Sequence, residues 1–202
     1  FFLNHRIDKK KMKRELTGIL LIVLIMGACN HAPQEGTYHL RGIVTNEKLE
    51  GRTIYLQDAV KGTVRYDSTT VSEGRFVFSG KINAPEVREL FIQETDSDRF
   101  PITLPIVLEP GEINTKVGDI VLVEGTGLNE EMMQTLVAID RFKDRDFTGK
   151  EIKEIKEAFA GFVLEQIVKH ASSPVGKYLY KAYQNKLNEK QQAEARKTLG
   201  IG

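Results

Sequence analysis

Hydrophobic positions in this chain recur with a period of two as far as about residue 124, and with the spacing of a helix from Asn129 onward. The clearest alternation lies in residues 64–82, which read as two strands joined by a tight turn at Ser72-Glu73-Gly74, where Gly74 supplies a positive φ at no steric cost. Past the turn, Phe76, Phe78, Gly80 and Ile82 alternate with Arg75, Val77, Ser79 and Lys81. Both rings therefore point to one face and the charges to the other. Rings that each bury up to ~150–250 Å² predict the centre of a sheet-built core here.

Further strand signals fall at residues 38–44, 53–57, 89–93, 102–108, 113–117 and 120–124, separated by Gly- and Pro-containing turns. In 102–108, Ile102, Leu104, Ile106 and Leu108 form a second core-facing stripe. Pro101 and Pro105 lack backbone donors, which places that strand at a sheet edge. About eight short strands with no helix between them predict an antiparallel β-sandwich or a partly open barrel, making the chain mainly β with a C-terminal α part.

The helical part, three to four short helices, follows the change of period. Asn129 reads as an N-cap, with Met132, Met133, Leu136, Val137 and Ile139 behind it. A second helix is expected over 150–170, with Ile152, Ile155, Phe159, Phe162, Val163 and Ile167 on its apolar side. Ser173-Pro174 stops the chain and restarts it, as N-cap and first helical residue. Asn188 with Gln191 forms a capping pair for a last helix that ends at Gly200. These stripes (Met133, Leu136, Val137; Phe159, Phe162, Val163; Val175, Leu179, Tyr183) are more than so small a cluster hides within itself. They predict docking on the sandwich, with one helical face left apolar.

The amino terminus has another logic. From Met12, which reads as the natural start, a basic Met12-Lys13-Arg14 precedes an apolar run over 19–26 and then Gly27-Ala28-Cys29, the order of an export signal. The run is too short for a comfortable span, which needs about 20 residues. Met26-Gly27-Ala28-Cys29 resembles the lipobox of bacterial lipoproteins, in which the cysteine is acylated and becomes the first mature residue. The expected division is therefore 1–29 signal peptide and lipidation cysteine, 30–37 tether, 38–128 sandwich and 129–202 helical segment.

Cys29 is the single cysteine, which excludes an intrachain disulfide, a Cys-x-x-Cys pair and a cysteine-rich zinc site. Removal of residues 1–28, with six Lys/Arg and two Asp/Glu, changes the formal net charge from +1 to −3. No basic field remains to attract nucleic acid.

Several residues invite a chemical reading. His5, His31, His39 and His170 are scattered, without metal-binding spacing. Gly125-Thr126-Gly127 resembles part of a phosphate loop, but no Gly-Lys-Ser/Thr follows, and a sheet-to-helix connector explains it better. Asp67-Ser68 has no His or Lys in recognisable relation, so a local backbone hydrogen bond is the simpler reading. Glu94-Thr95-Asp96-Ser97-Asp98 lacks the spacing and terminal Glu of an EF-hand. Tyr178, Tyr180 and Tyr183 are expected to pack. No catalytic, metal or cofactor residue is assigned, and the one site residue is Cys29, for lipid.

Tyr38-His39-Leu40-Arg41-Gly42, Ile54-Tyr55-Leu56, Asp67-Ser68 with Gly74-Arg75-Phe76-Val77-Phe78-Ser79-Gly80, Leu108-Glu109-Pro110-Gly111 and Gly125-Thr126-Gly127-Leu128-Asn129 occur in a telling order. Together they resemble the N-terminal domain of unknown function of Gram-negative envelope lipoproteins. In those proteins the sandwich and a helical linker precede a thioredoxin-like domain of the TlpA-like, AhpC/TSA thiol:disulfide interchange class. Ser172-Ser173-Pro174-Val175-Gly176-Lys177-Tyr178-Leu179 is similar to that linker.

The resemblance implies an envelope location, periplasm-facing or at the outer membrane. It also implies a protein partner or thioredoxin-like domain on the helical segment. The family would begin its thioredoxin-like domain where this sequence reaches Gly202, and the catalytic Cys-x-x-Cys is absent, so its redox activity does not carry over. The expectation is a non-catalytic, lipid-anchored accessory module, held to the membrane through Cys29 and using no cofactor. The alternative is an N-terminal fragment of a thiol:disulfide oxidoreductase.

Overall fold

The computed structural model describes residues 36–95, 101–118 and 121–202. Cys29, the export signal, His5, His31 and residues 96–98 lie outside them. Eight strands form two four-stranded sheets, β1 (Thr37–Val44), β2 (Thr53–Asp58), β3 (Arg65–Thr70), β4 (Arg75–Lys81), β5 (Glu86–Ile92), β6 (Ile102–Leu108), β7 (Gly111–Val117) and β8 (Leu122–Glu124). The first sheet has the order β4-β1-β7-β8 and the second β3-β2-β5-β6. They face each other as an open sandwich, not a closed barrel. Four helices follow, α1 (Gly127–Lys143), α2 (Ile152–Lys169), α3 (Pro174–Tyr183) and α4 (Glu189–Leu199).

The sandwich core is built from the alternating positions. Leu40, Phe76, Phe78 and Ile113 from the first sheet meet Ile54, Leu56, Leu90, Ile92, Leu104 and Ile106 from the second, all buried in one cluster. Phe76 and Phe78 contact edge to face at 6.0 Å, an arrangement that aromatic quadrupoles favour. Two glycines make room for the rings. Gly42 lies opposite Phe76, and Gly80 opposite Tyr38, in the β1–β4 register. A Cβ at Gly42 would collide with the Phe76 ring, and one at Gly80 would press on Tyr38. Each aromatic thus lies over its partner's glycine and pins the register.

Several expectations need correcting. Residues 64–82 are not a paired hairpin. The two-residue turn does form, with Ser72 N donating to Arg75 O at 2.9 Å and Arg75 N to Ser72 O at 3.0 Å. Both central residues have positive φ, Glu73 at 52° and Gly74 at 64°, the geometry of a primed turn. The flanking strands then part, β3 to the second sheet and β4 to the first. The chain crosses between sheets because better partners stand on each side. Val71 exchanges backbone bonds with Gly51 and Arg52, while Gly74 O accepts from Val44 N. The carboxylate of Glu50 fixes the turn from outside, accepting from Glu73 N at 2.8 Å and Gly74 N at 2.9 Å. In addition, one pair is not antiparallel, since β1 and β7 run parallel from Tyr38↔Gly111 to Val44↔Val117.

A further correction concerns the start of α1. Thr126, not Asn129, is the N-cap residue, with extended φ/ψ of −139° and 151°. Asn129 lies one turn further in and is fully buried. Its side-chain Oδ1 accepts from Val107 N at 2.9 Å, and its Nδ2 donates to Val107 O at 2.7 Å and to Thr126 Oγ1 at 2.8 Å. The amide thus supplies the edge strand β6 with the donor and acceptor that a neighbouring strand would have given. Glu109 Oε1 accepts from Leu128 N and ties down the same helix end. Val137, expected in the α1 stripe, is instead 42% exposed, whereas Met132 and Ile139 are buried.

The remaining helices open at capping residues, although Ile152, expected on the apolar side of α2, is 72% exposed. Glu151 and Glu154 form a capping box at the start of α2. Ser173 and Pro174 open α3 as N-cap and first residue. Asn188 and Gln191 form the capping box of α4, which ends at Gly200 with φ 64°. Val163, Ile167, Val175, Leu179 and Ala195 form a second buried cluster that also takes in Val107 of β6. Among the described residues, no helix is long and apolar enough to cross a membrane.

Candidate functional site

On the second sheet, Ile54, Leu56, Leu90, Ile92, Leu104 and Ile106 point into the core, so the residues between them point outward. The register sets those outward residues in rows: Val87 beside Val107, then Gln57, Glu89 and Pro105, then Ser68, Tyr55, Phe91 and Thr103. The first row belongs to the helical cluster. Among the described residues, the helical cluster leaves the last row bare.

On that bare end the Arg65 guanidinium lies 3.7 Å from the Tyr55 ring centroid and 5.8 Å from that of Phe91. The two rings stand 6.4 Å apart. With Arg52, Thr53 and Gln93 they line a hollow of about 390 Å³. Arg52 Nε donates to Gln93 O at 3.1 Å, holding the wall of the hollow. Stacked Arg, Tyr and Phe on an open sheet face are the residue types that anchor protein interfaces.

Between the bare end and the helices lies a drier strip. Gln57 Nε2 donates to Glu89 Oε1 at 2.8 Å. Burial raises the Glu89 carboxyl above its ordinary value, and the Gln57 bond only partly offsets this. Tyr178 of α3 has its phenol pushed up to about 12, first by burial and then by the nearby Tyr183 and Glu89. The Tyr178 phenol is thus far from proton transfer near neutral pH, and both groups read as the seam where α3 meets the sheet.

The residues singled out in the sequence have plain placements. Asp67 and Ser68 are exposed on β3, where Ser68 N donates to Asp67 Oδ1 at 2.7 Å. Gly125 and Gly127 form the sheet-to-helix connector around Thr126. Glu94 accepts from Asn46 Nδ2 at 2.9 Å and lies 3.6 Å from Lys48 Nζ. His39 is on β1, paired with Ser79 and Glu112. Tyr180 is buried and accepts at its hydroxyl from Arg196 Nη1 at 3.2 Å, while Tyr183 packs on Phe159. Among the described residues, no group of three or more His, Cys, Asp or Glu is placed to hold a metal ion.

His170 is not isolated. It closes α2, and its Nδ1 lies 2.6 Å from Glu131 Oε1 of α1, which also accepts from Ser173 Oγ at 2.6 Å. Its Nε2 lies 3.1 Å from Thr135 Oγ1. Carboxylate, imidazole and hydroxyl thus stand in line as they do in nucleophilic sites. Thr135, however, is 2% exposed, and its hydroxyl also bonds the Glu131 carbonyl at 2.8 Å. No reacting atom reaches it. The chain of bonds ties α1 to the α2–α3 corner, across 35 to 42 residues of sequence. No local spacing foretells it.

The searches of curated proteins and of solved structures returned no match. Residues 38–132 do match a family model, that described as Domain of unknown function (DUF4369). The match begins at Tyr38 of β1 and ends at Met132, just past the Asn129 clamp on β6. Over these residues, the sandwich and the first turns of α1, the chain is similar to the DUF4369 domain.

Proposed function

We propose that this protein is a non-catalytic, lipid-anchored module of the cell envelope that binds a protein partner through the bare end of the second sheet. The observation that carries this reading is the stack of Arg65 on Tyr55, with Phe91 beside it, on a face whose other end is already covered by helices. Rigid aromatic and guanidinium groups make large contact area at small entropic cost, and Arg65 offers a fork for a partner carboxylate. The envelope address rests on Met26-Gly27-Ala28-Cys29, whose order supports acylation at Cys29. In the hydroxyl–imidazole–carboxylate line of Thr135, His170 and Glu131 the hydroxyl is buried, which favours binding over catalysis.

Two experiments test it. Metabolic labelling with a palmitate analogue marks the natural chain and not Cys29→Ala, and equal labelling of both removes the anchor. A photo-crosslinker placed at Tyr55 in cells gives a discrete adduct that Arg65→Ala abolishes. The same crosslinker at Val77, exposed on the other sheet, gives none. Identical patterns from the two positions rule out the binding face.

A second reading, an N-terminal part of a thiol:disulfide oxidoreductase, rests on the likeness of residues 172–179 to the family's linker. An in-frame thioredoxin-like sequence directly after codon 202 establishes it, and a stop codon there dismisses it.

A further inference from the structure

Sharing no residue with the hollow on the bare sheet end, a second hollow of different chemistry lies among the helices. Phe142, buried near the end of α1, is its hub. Phe162 stacks on Phe142 at 4.7 Å and 21°, while Phe159 and Phe147 stand 5.6 Å and 5.8 Å away. Phe142, Phe147, Phe159 and Ile155 floor a hollow of about 580 Å³. Such a volume lies within the ~300–1,000 Å³ usual for small-molecule sites. The stripe continues out of the hollow along α2 as Ile152, which is 72% exposed.

The rim is cationic. Lys143, Lys156 and Lys186 border the apolar floor. Lys143 is committed to Asp140 at 3.1 Å. Lys156 and Lys186 have no carboxylate within ion-pair distance among the described residues. An apolar floor with two uncommitted ammonium groups at its edge complements a ligand that is apolar along its length and anionic at one end. A longer acidic peptide fits less well. The segments bordering the hollow carry Asp144, Asp146, Glu151 and Glu154 interleaved with Arg145, Lys150 and Lys153, all exposed, and this mixed rim offers an anionic chain extending past the lysines no continuous cationic track.

We propose that this hollow binds a single-chain anionic amphiphile, a fatty acid, with its acyl chain on Phe142, Phe147, Ile155 and Phe159 and its carboxylate met by Lys156 and Lys186. The site is independent of the partner face on the second sheet. Laurate, titrated calorimetrically below its critical micelle concentration, is the probe.

Saturable binding of one laurate per chain is expected. The double change Lys156→Gln/Lys186→Gln weakens it about tenfold by removing two charge-assisted contacts. Dodecanol, lacking the charge, binds the natural chain and the double variant alike. Phe159→Ala, checked for folding by circular dichroism, weakens laurate and dodecanol together. The two lysines are exposed, so the double variant keeps the test valid even if Phe159→Ala fails to fold. Absence of saturable laurate binding overturns the proposal. So does laurate affinity unchanged in the lysine variant, or dodecyltrimethylammonium binding as tightly as laurate.

Discussion

β4 and β6 are both edge strands, yet they are buried in opposite ways. In β4 the alternation is clean, with Phe76 and Phe78 inside and Val77 54% exposed. In β6 every residue from Leu104 to Leu108 is buried, the outward Pro105 and Val107 included. The difference is made by the helices. The first sheet faces solvent beyond β4, whereas α1 closes over β6 and the Asn129 amide fills its open hydrogen-bonding positions at Val107. An edge strand can be protected by shortness and charge or by a cover. The helices cover β6 and leave β4 open, which makes the helical layer part of the sandwich's own completion.

The largest expected effect lies in the core of β4. Phe78→Ala is expected to cost about 3–5 kcal/mol, as large-to-small aromatic changes do. Val77→Ala, on the solvent side, should cost about 0.5 kcal/mol or less. Urea titrations of both variants check this, and equal losses would mean that β4 is covered on both faces after all.

Next comes the cover over β6. Asn129→Ala strands the N–H and C=O of Val107 in a dry environment and is expected to cost about 2–4 kcal/mol, since each buried unpaired group costs about 1–3. Amide exchange at Val107 should quicken in this variant while that at Ile113 keeps pace with global unfolding. A loss confined to a few tenths of a kcal/mol would mean that water or another group replaces the clamp.

A smaller effect is expected at the helix corner. His170→Ala breaks the bonds to Glu131 and Thr135 and should cost about 1–3 kcal/mol. Combined with Glu131→Ala, the total should fall short of the sum, because both changes remove one shared contact. Thermal melts of the two single variants and the double variant give the coupling. Strict additivity would show that the pair contributes nothing jointly.

Much of this was legible in the sequence, and the failures have a common cause. Alternation identified all eight strands, and capping signals at Ser173-Pro174 and Asn188–Gln191 placed two helix starts, because both depend on neighbours in the chain. Strand partnership does not. The Ser72–Arg75 turn looks like a hairpin whether its strands pair or part, and only Gly51, Arg52 and Val44 decide that they part. Asn129 reads as a cap because Asn is a good cap. Its true task depends on Val107, 22 residues away. The His170–Glu131 contact and the Arg65–Tyr55–Phe91 stack are likewise assembled from distant segments, so composition and spacing carry no trace of them.

The smallest expected effect is a dependence on pH at the seam between sheet and helices. Burial raises the Glu89 carboxyl, so the folded state holds its proton more tightly than the unfolded chain. Stability is therefore lost as pH rises from the ordinary 4.5 through the raised folded value. Glu89→Gln, which keeps an acceptor for Gln57, should be slightly more stable than the natural chain at neutral pH. The difference should vanish in acid below 4.5, and denaturation curves at several pH values would show it. A difference that grows on acidification would reverse the sign and refute the burial assigned to Glu89.

The central claim, that the helices complete the sandwich instead of hanging from it, is tested most directly by melting residues 30–202 beside residues 30–128. The longer chain should unfold in one transition, with sheet and helix signals lost together. The shorter one, with β6 uncovered, should melt at least about 10 °C lower or fail to stay soluble. Equal melting temperatures for the two chains would contradict the claim.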